Sequence, residues 1–150
     1  MLNIGVLGCG KIAQVRHIPE YAANKGAKLI GFYDADAQRT EEIAAKCCGR
    51  AYASAGELLA DPAIDAVSVC VANHAHAELA IAALKAGKHV LCEKPMAVTL
   101  AECEAMLEEA EKAGKRLLIG QNQRLAKAHV KAKELLAAGE IGRVVTFRTT

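Results

Sequence analysis

An α/β fold built on a doubly wound parallel sheet follows from three observations. Apolar runs of strand length alternate with helical patterns along the whole chain. Most of those runs are near-continuously apolar rather than strictly alternating, as strands are when helices cover both faces of a sheet. Two β-α-β-α-β halves follow one another, and right-handed crossovers then give a doubly wound sheet.

Each element has its own signal. The first strand is Leu2–Leu7, LNIGVL. A helical stretch over 12–24 and a strand over 28–33 follow. The helix Ala37–Cys47 leads to a short strand near Ala51. Ser54 is placed to cap the short helix Ala55–Ala60. The run 66–71, AVSVCV, is the fourth strand, and 75–86 the next helix. Strand five is His89–Cys92. Thr99 and Glu102 have the spacing of a capping box at the head of helix Leu100–Ala113. A strand over 116–119 and a helix over 126–138 complete the pattern. Gly87, Gly114 and Gly139 each follow a helical run, where a left-handed terminating residue is wanted. The final GEIGRVVTFRTT reads as a turn and a strand over 144–148. That strand needs a sheet to join: the edge of this domain, or a second domain beyond this chain.

Composition excludes several functions. The 150 residues are 53% hydrophobic and 24% charged, enough for one domain with a full core. With 3% aromatics and no Trp, a base-stacking surface for single-stranded nucleic acid is not expected. The net charge is +2 and both signs are scattered, so neither DNA nor a membrane surface is indicated. The N-terminus shows no leader pattern, and no apolar run approaches the roughly 20 residues of a membrane span. Cys9, Cys47, Cys48, Cys70, Cys92 and Cys103 form no C-x-x-C pair. They read as reduced thiols, mostly buried, in a cytoplasmic protein.

The first strand ends in GCGKIA, a G-x-G-x-x-A pattern at Gly8, Gly10 and Ala13. Gly8 permits the tight turn, Gly10 lets backbone approach a pyrophosphate, and Ala13 keeps the helix near the sheet. Free amides at the start of the helix, around Lys11 and Ile12, then face the phosphates. The pattern alone is weak, but it follows a strand and opens a helix, as it must. Asp34, at the end of the second strand, has the spacing of a ribose-binding acid, which favours NAD over NADP. Arg39 pulls the other way, because an arginine there receives a 2′-phosphate. The alternative for Asp34 is capping of the next helix.

Ligands of such sheets bind beyond the carboxyl ends of the strands. ANHAHAE follows the fourth strand there, with Asn73, His74 and His76. No third ligand accompanies the two histidines, so no metal site is expected; Asn73 lines the cleft or caps the next helix. Glu93, Lys94 and Pro95 interrupt HVLCEKPMAV at the same edge. An ordinary polar turn is the plain reading. The functional one has Lys94 emerging beside the cofactor cleft, where an amine hydrogen-bonds a substrate hydroxyl and takes part in proton transfer.

GCGKIA, FYD, AxNHAHAELAIAALKAGKHVLCEKP and KAKELLAAGEIGRV together resemble the glucose–fructose oxidoreductase, inositol dehydrogenase and rhizopine-catabolism (Gfo/Idh/MocA) oxidoreductases. AGKHVLCEKP is the most specific of these runs. The resemblance implies a Rossmann dinucleotide-binding domain of an NAD(P)-dependent dehydrogenase acting on sugars, cyclitols or polyols. It implies that Glu93 lies by the nicotinamide and ribose, and that Lys94 is catalytic and touches cofactor and substrate. It also implies a Lys94–Pro95 bond that is often cis, cofactor-side positions at Asn73 and His76, and a loop at Gln121 and Asn122 approaching the nicotinamide. Relatives have Thr-Pro where this chain has Val71 and Ala72, at the turn over the diphosphate, and Arg-Phe where it has Arg124 and Leu125.

Members of the family carry a second α/β domain that completes the catalytic site and the oligomer interface. The expected division is therefore a dinucleotide-binding domain over 1–122 and, over 123–150, a linking helix and the first strand of a second domain that this chain lacks. Little turnover is expected of the chain alone. An NAD-dependent glycosidase and a non-catalytic dinucleotide-binding regulator are the alternatives.

Overall fold

The computed structural model describes residues 1–148 and divides into two compact units, Met1–Gly120 and Gln121–Thr150. The first unit holds six parallel strands: β1 (Leu2–Leu7), β2 (Ala27–Tyr33), β3 (Arg50–Ala51), β4 (Ala66–Val69), β5 (His89–Cys92) and β6 (Leu117–Ile119). Their order across the sheet is β3-β2-β1-β4-β5-β6, so the winding reverses between β1 and β4. Ligands of such sheets bind at that reversal.

Successive strand side chains point to opposite faces, and both faces are dry. Val6 packs with Phe32, Ile43 and Ile18 on one side. Leu7 packs with Leu58, Val67, Leu84 and Met106 on the other. Full burial of each such side chain contributes about 1.5–3 kcal/mol, which is why the strands read as continuous apolar runs.

The helices are α1 (Ile18–Ala23), α2 (Ala37–Cys47), α3 (Ala55–Ala60), α4 (His76–Lys85) and α5 (Leu100–Ala113). The Ser54 hydroxyl accepts the Glu57 N–H at the head of α3. Thr99 and Glu102 form the reciprocal capping box of α5, and Gly114 ends that helix at φ +62°. Asp36, not Asp34, caps α2, by accepting the Arg39 N–H.

The helix expected over 12–24 is not regular. Residues 11–23 are helical, but Ala13–His17 form a π turn in which the Ile18 N–H bonds the Ala13 carbonyl. Pro19 supplies the reason. It lacks an N–H, and its ring crowds the carbonyl four residues back, so α spacing does not run through it undisturbed.

The second unit holds a 3₁₀ turn, Asn122–Leu125, and α6 (Lys127–Ala137). The expected strand over 144–148 is not formed. Val145 and Phe147 there are 83% and 75% exposed, and among the described residues no strand pairs with this segment. Among the described residues, no helix is long and apolar enough to cross a membrane.

Candidate functional site

One register row crosses the sheet: Tyr33 beside Leu7, Leu7 beside Val69, Val69 beside Cys92, and Cys92 beside Ile119. The residues that follow are Asp34, Gly8, Cys70, Glu93 and Gly120. Four of them extend the ladder: Gly8 N–H bonds Tyr33 O, Cys70 N–H bonds Leu7 O, Glu93 N–H bonds Val69 O, and Gly120 N–H bonds Cys92 O. The glycine turn, the acid after β2 and the Glu93–Lys94 turn therefore leave the sheet at one edge.

The two glycines of the turn have different physical reasons. Gly8 sits at φ +90°, and a Cβ there would lie 2.6 Å from the Cys70 carbonyl oxygen. Only glycine fits. A Cβ on Gly10 would meet nothing within 4 Å, so that face is open to an incoming group. Ala13 is fully buried against the sheet. The Gln14 amide donates to the Cys9 carbonyl and closes the turn. A tight turn, an open glycine face and a helix start together fit the diphosphate of a dinucleotide. Lys11 and Ile12 lie exposed beside it.

Asp34 is mostly buried. One carboxylate oxygen accepts the Cys9 N–H at 2.7 Å; the other accepts the Asp36 N–H and the Arg39 guanidinium at 3.0 Å. Arg39 also reaches Asp36 at 3.0 Å. The acid after β2 is thus braced against the glycine turn, and the arginine is held by two carboxylates. Beside them opens a cavity of about 350 Å³ lined by Tyr33, Asp34, Thr40, Glu41, Tyr52 and Glu57, among others.

After β4, Ala72, Asn73 and His74 are exposed, and the N-cap position of the 3₁₀ turn Asn73–Ala75 falls on Ala72, not on Asn73. His76 departs from expectation. It is 1% exposed, with Nδ1 at 2.7 Å from the Pro95 carbonyl and Nε2 at 3.1 Å from the Val71 carbonyl. Both ring nitrogens face loop carbonyls, and a neutral ring donates to one of the two at a time, so His76 sits as a buried link between the loops after β4 and β5. Among the described residues, no cluster of three or more His, Cys, Asp or Glu is placed to hold a metal.

Lys94 is exposed at the sheet edge, and the Lys94–Pro95 peptide is cis. Glu93 beside it is mostly buried. Burial alone would raise its carboxyl, but the His17 hydrogen bond, the Lys94 N–H and the nearby His17 and Lys94 charges hold it below the ordinary glutamate range. His17 was not among the residues singled out in the sequence. It lies on the π turn, 9% exposed, with Nε2 at 2.8 Å from Glu93 Oε1 and Nδ1 at 2.8 Å from Ser68 Oγ. The signal that could have found it is Pro19, which marks a break in the helix two residues on.

All six cysteines are free. Burial pushes the Cys9, Cys70 and Cys92 thiols up to about 12, so they are core side chains rather than nucleophiles. Gln121 and Asn122 belong to the second unit, where Asn122 is exposed and opens the 3₁₀ turn.

Known proteins resemble the chain over nearly its whole length. It is 38% identical over 150 residues to a myo-inositol 2-dehydrogenase of Thermotoga maritima, covering 99% of this chain and 45% of that protein. A probable dehydrogenase from Thermotoga maritima superimposes with a TM-score of 0.86 at 39% identity, over 94% of this chain and 42% of the other. The WlbA dehydrogenase from Bordetella pertussis, in complex with NADH and UDP-GlcNAcA, gives 0.90 at 28% identity, over 95% and 41%. The chain thus spans less than half the length of these relatives. The model of the oxidoreductase family with an NAD-binding Rossmann fold, GFO_IDH_MocA, matches residues 2–121, and the chain belongs to that family.

Proposed function

We propose that this chain is the cofactor half of an NAD-dependent dehydrogenase that oxidises a carbinol of a sugar, cyclitol or polyol, with Lys94 as a catalytic residue. The supporting observation is the shared edge: phosphate turn, ribose acid and lysine leave one register row of the sheet. NAD, when bound, supplies the hydride acceptor.

The chain's own residues divide the remaining work. Gly8 and Gly10 shape the diphosphate turn, and the Lys11 and Ile12 amides face it. Asp34 takes the adenosine ribose on the oxygen that also accepts the Cys9 N–H, the other oxygen already accepting from Asp36 and Arg39. Ala72 and Asn73 line the cleft, and Glu93 lies toward the nicotinamide ribose. Lys94 hydrogen-bonds the substrate hydroxyl and takes its proton as the carbon is oxidised. Residues 123–150 begin the second domain, which supplies the substrate pocket. A relative that is a myo-inositol 2-dehydrogenase supports the cyclitol reading.

NAD is preferred to NADP. A 2′-phosphate would meet an arginine already held by Asp34 and Asp36, beside a cavity that also carries Glu41 and Glu57. The free thiols suit a reducing compartment, which we take to be the cytoplasm.

The test is NADH formation by the full-length protein with myo-inositol and a panel of polyols. Net NADH supports a dehydrogenase. Glycoside cleavage without net NADH points to the glycosidase. NADH binding by the full-length protein with no turnover of any polyol or glycoside points to a regulator.

A further inference from the structure

We propose that His17 is a positioning residue for the turn that carries Lys94. It acts through Glu93, and the proposal rests on the reading of Lys94 as catalytic. His17, Ser68 and Glu93 form one chain of hydrogen bonds that links the π turn, β4 and the end of β5. Ser68 is fully buried, and it and the histidine ring lie under the sheet edge. Glu93 Oε1 accepts from His17 Nε2, and its Oε2 accepts the Lys94 backbone N–H at 3.0 Å. Both carboxylate oxygens are therefore spent on orientation: one on the histidine, one on the peptide of the lysine itself.

The proton assignment follows from the partners. A carboxylate only accepts, so Nε2 carries the proton. Nδ1 lies 2.8 Å from the Ser68 hydroxyl, a group able to donate or to accept. Glu93 thus fixes the proton on Nε2, Ser68 braces the other side of the ring, and Glu93 in turn holds the Lys94 peptide.

The π turn joins this chain to the phosphate turn. Ala13, the last residue of the glycine pattern, is also the first of the π turn, and His17 is its last. The glycine pattern and the ring that steadies Glu93 thus meet in one turn, since Ala13 closes the pattern and opens the five residues that end at His17. A small displacement of a reacting group costs about 100-fold in rate, so a residue that only holds the turn is felt in turnover.

The experiment compares His17→Leu and His17→Gln in the full-length protein. Leucine fills the space without a donor, whereas the glutamine amide still reaches Glu93. Hydrogen exchange at the Lys94 amide is expected to rise about tenfold or more in His17→Leu, and kcat to fall about tenfold or more at unchanged KM. His17→Gln is expected to recover most of both. Unchanged exchange in His17→Leu overturns the proposal, as does a glutamine variant no better than leucine, which would mean that only ring volume matters. If His17→Leu does not fold, Ser68→Ala reports instead, with smaller changes in the same directions; no change there overturns the proposal too. Failure of the dehydrogenase reading looks different: the wild type itself turns over no polyol, and the exchange measurement then decides alone.

Discussion

His17 Nε2 lies 2.8 Å from Glu93 Oε1 across 76 residues of chain, and the contact joins the helix after the phosphate turn to the loop that carries Lys94. Neither residue has full meaning without the other. A buried imidazole needs an acceptor, and a mostly buried carboxylate needs donors.

The pairing makes stability depend on pH. The folded-state carboxyl of Glu93 lies below its ordinary range. Its contribution is therefore present above the unfolded-state value and is lost as pH falls through the folded one. Denaturant unfolding should place Glu93→Gln about 1–2 kcal/mol below wild type at neutral pH, with the gap closing on acidification. A gap that widens in acid would contradict the assignment.

The two glycines of the turn should fail in opposite ways. Gly8→Ala puts a Cβ against the Cys70 carbonyl at a left-handed φ and should cost about 2–4 kcal/mol of stability. Gly10→Ala meets open space; stability should change by under about 1 kcal/mol while NADH affinity falls about tenfold or more. Thermal unfolding and NADH fluorescence titration separate the two.

Asp34 should govern cofactor choice. Fluorescence titration should show NADH bound about tenfold or more tightly than NADPH, and Asp34→Ser should weaken NADH and narrow that ratio. Equal wild-type affinities would remove the ribose role.

Lys94→Ala in the full-length enzyme should lower kcat by about 100-fold or more while NADH affinity stays within about threefold. Steady-state kinetics paired with direct NADH titration makes the distinction. A normal kcat would leave Lys94 as an ordinary turn residue.

Lys88 bears on stability alone. Its ammonium is buried and donates to the Asp61 and Ile64 carbonyls at 2.7 and 2.8 Å. Lys88→Met leaves both carbonyls without that donor, and denaturant unfolding should show a loss of about 2–3 kcal/mol with NADH affinity unchanged.

The sequence by itself determined the order and type of the first unit's elements, the capping box at Thr99, the cap at Ser54 and the glycine turn. Those signals are local: a few adjacent residues fix a cap or a turn, and an apolar run marks a strand covered on both faces. Tertiary structure decided the rest. It gave the α2 cap to Asp36 and braced Asp34 against Cys9 and Arg39. It buried His76 between two carbonyls and brought His17 to Ser68 and Glu93. Each of these is a buried polar contact between separate elements, and periodicity reports only which face of an element is apolar. Which polar group meets which depends on the packed register of the strands and, at His17, on one π turn forced by a proline. The strand expected over 144–148 shows the same limit from the other side. Its residues carry strand propensity, but a strand exists only where a neighbour accepts its hydrogen bonds.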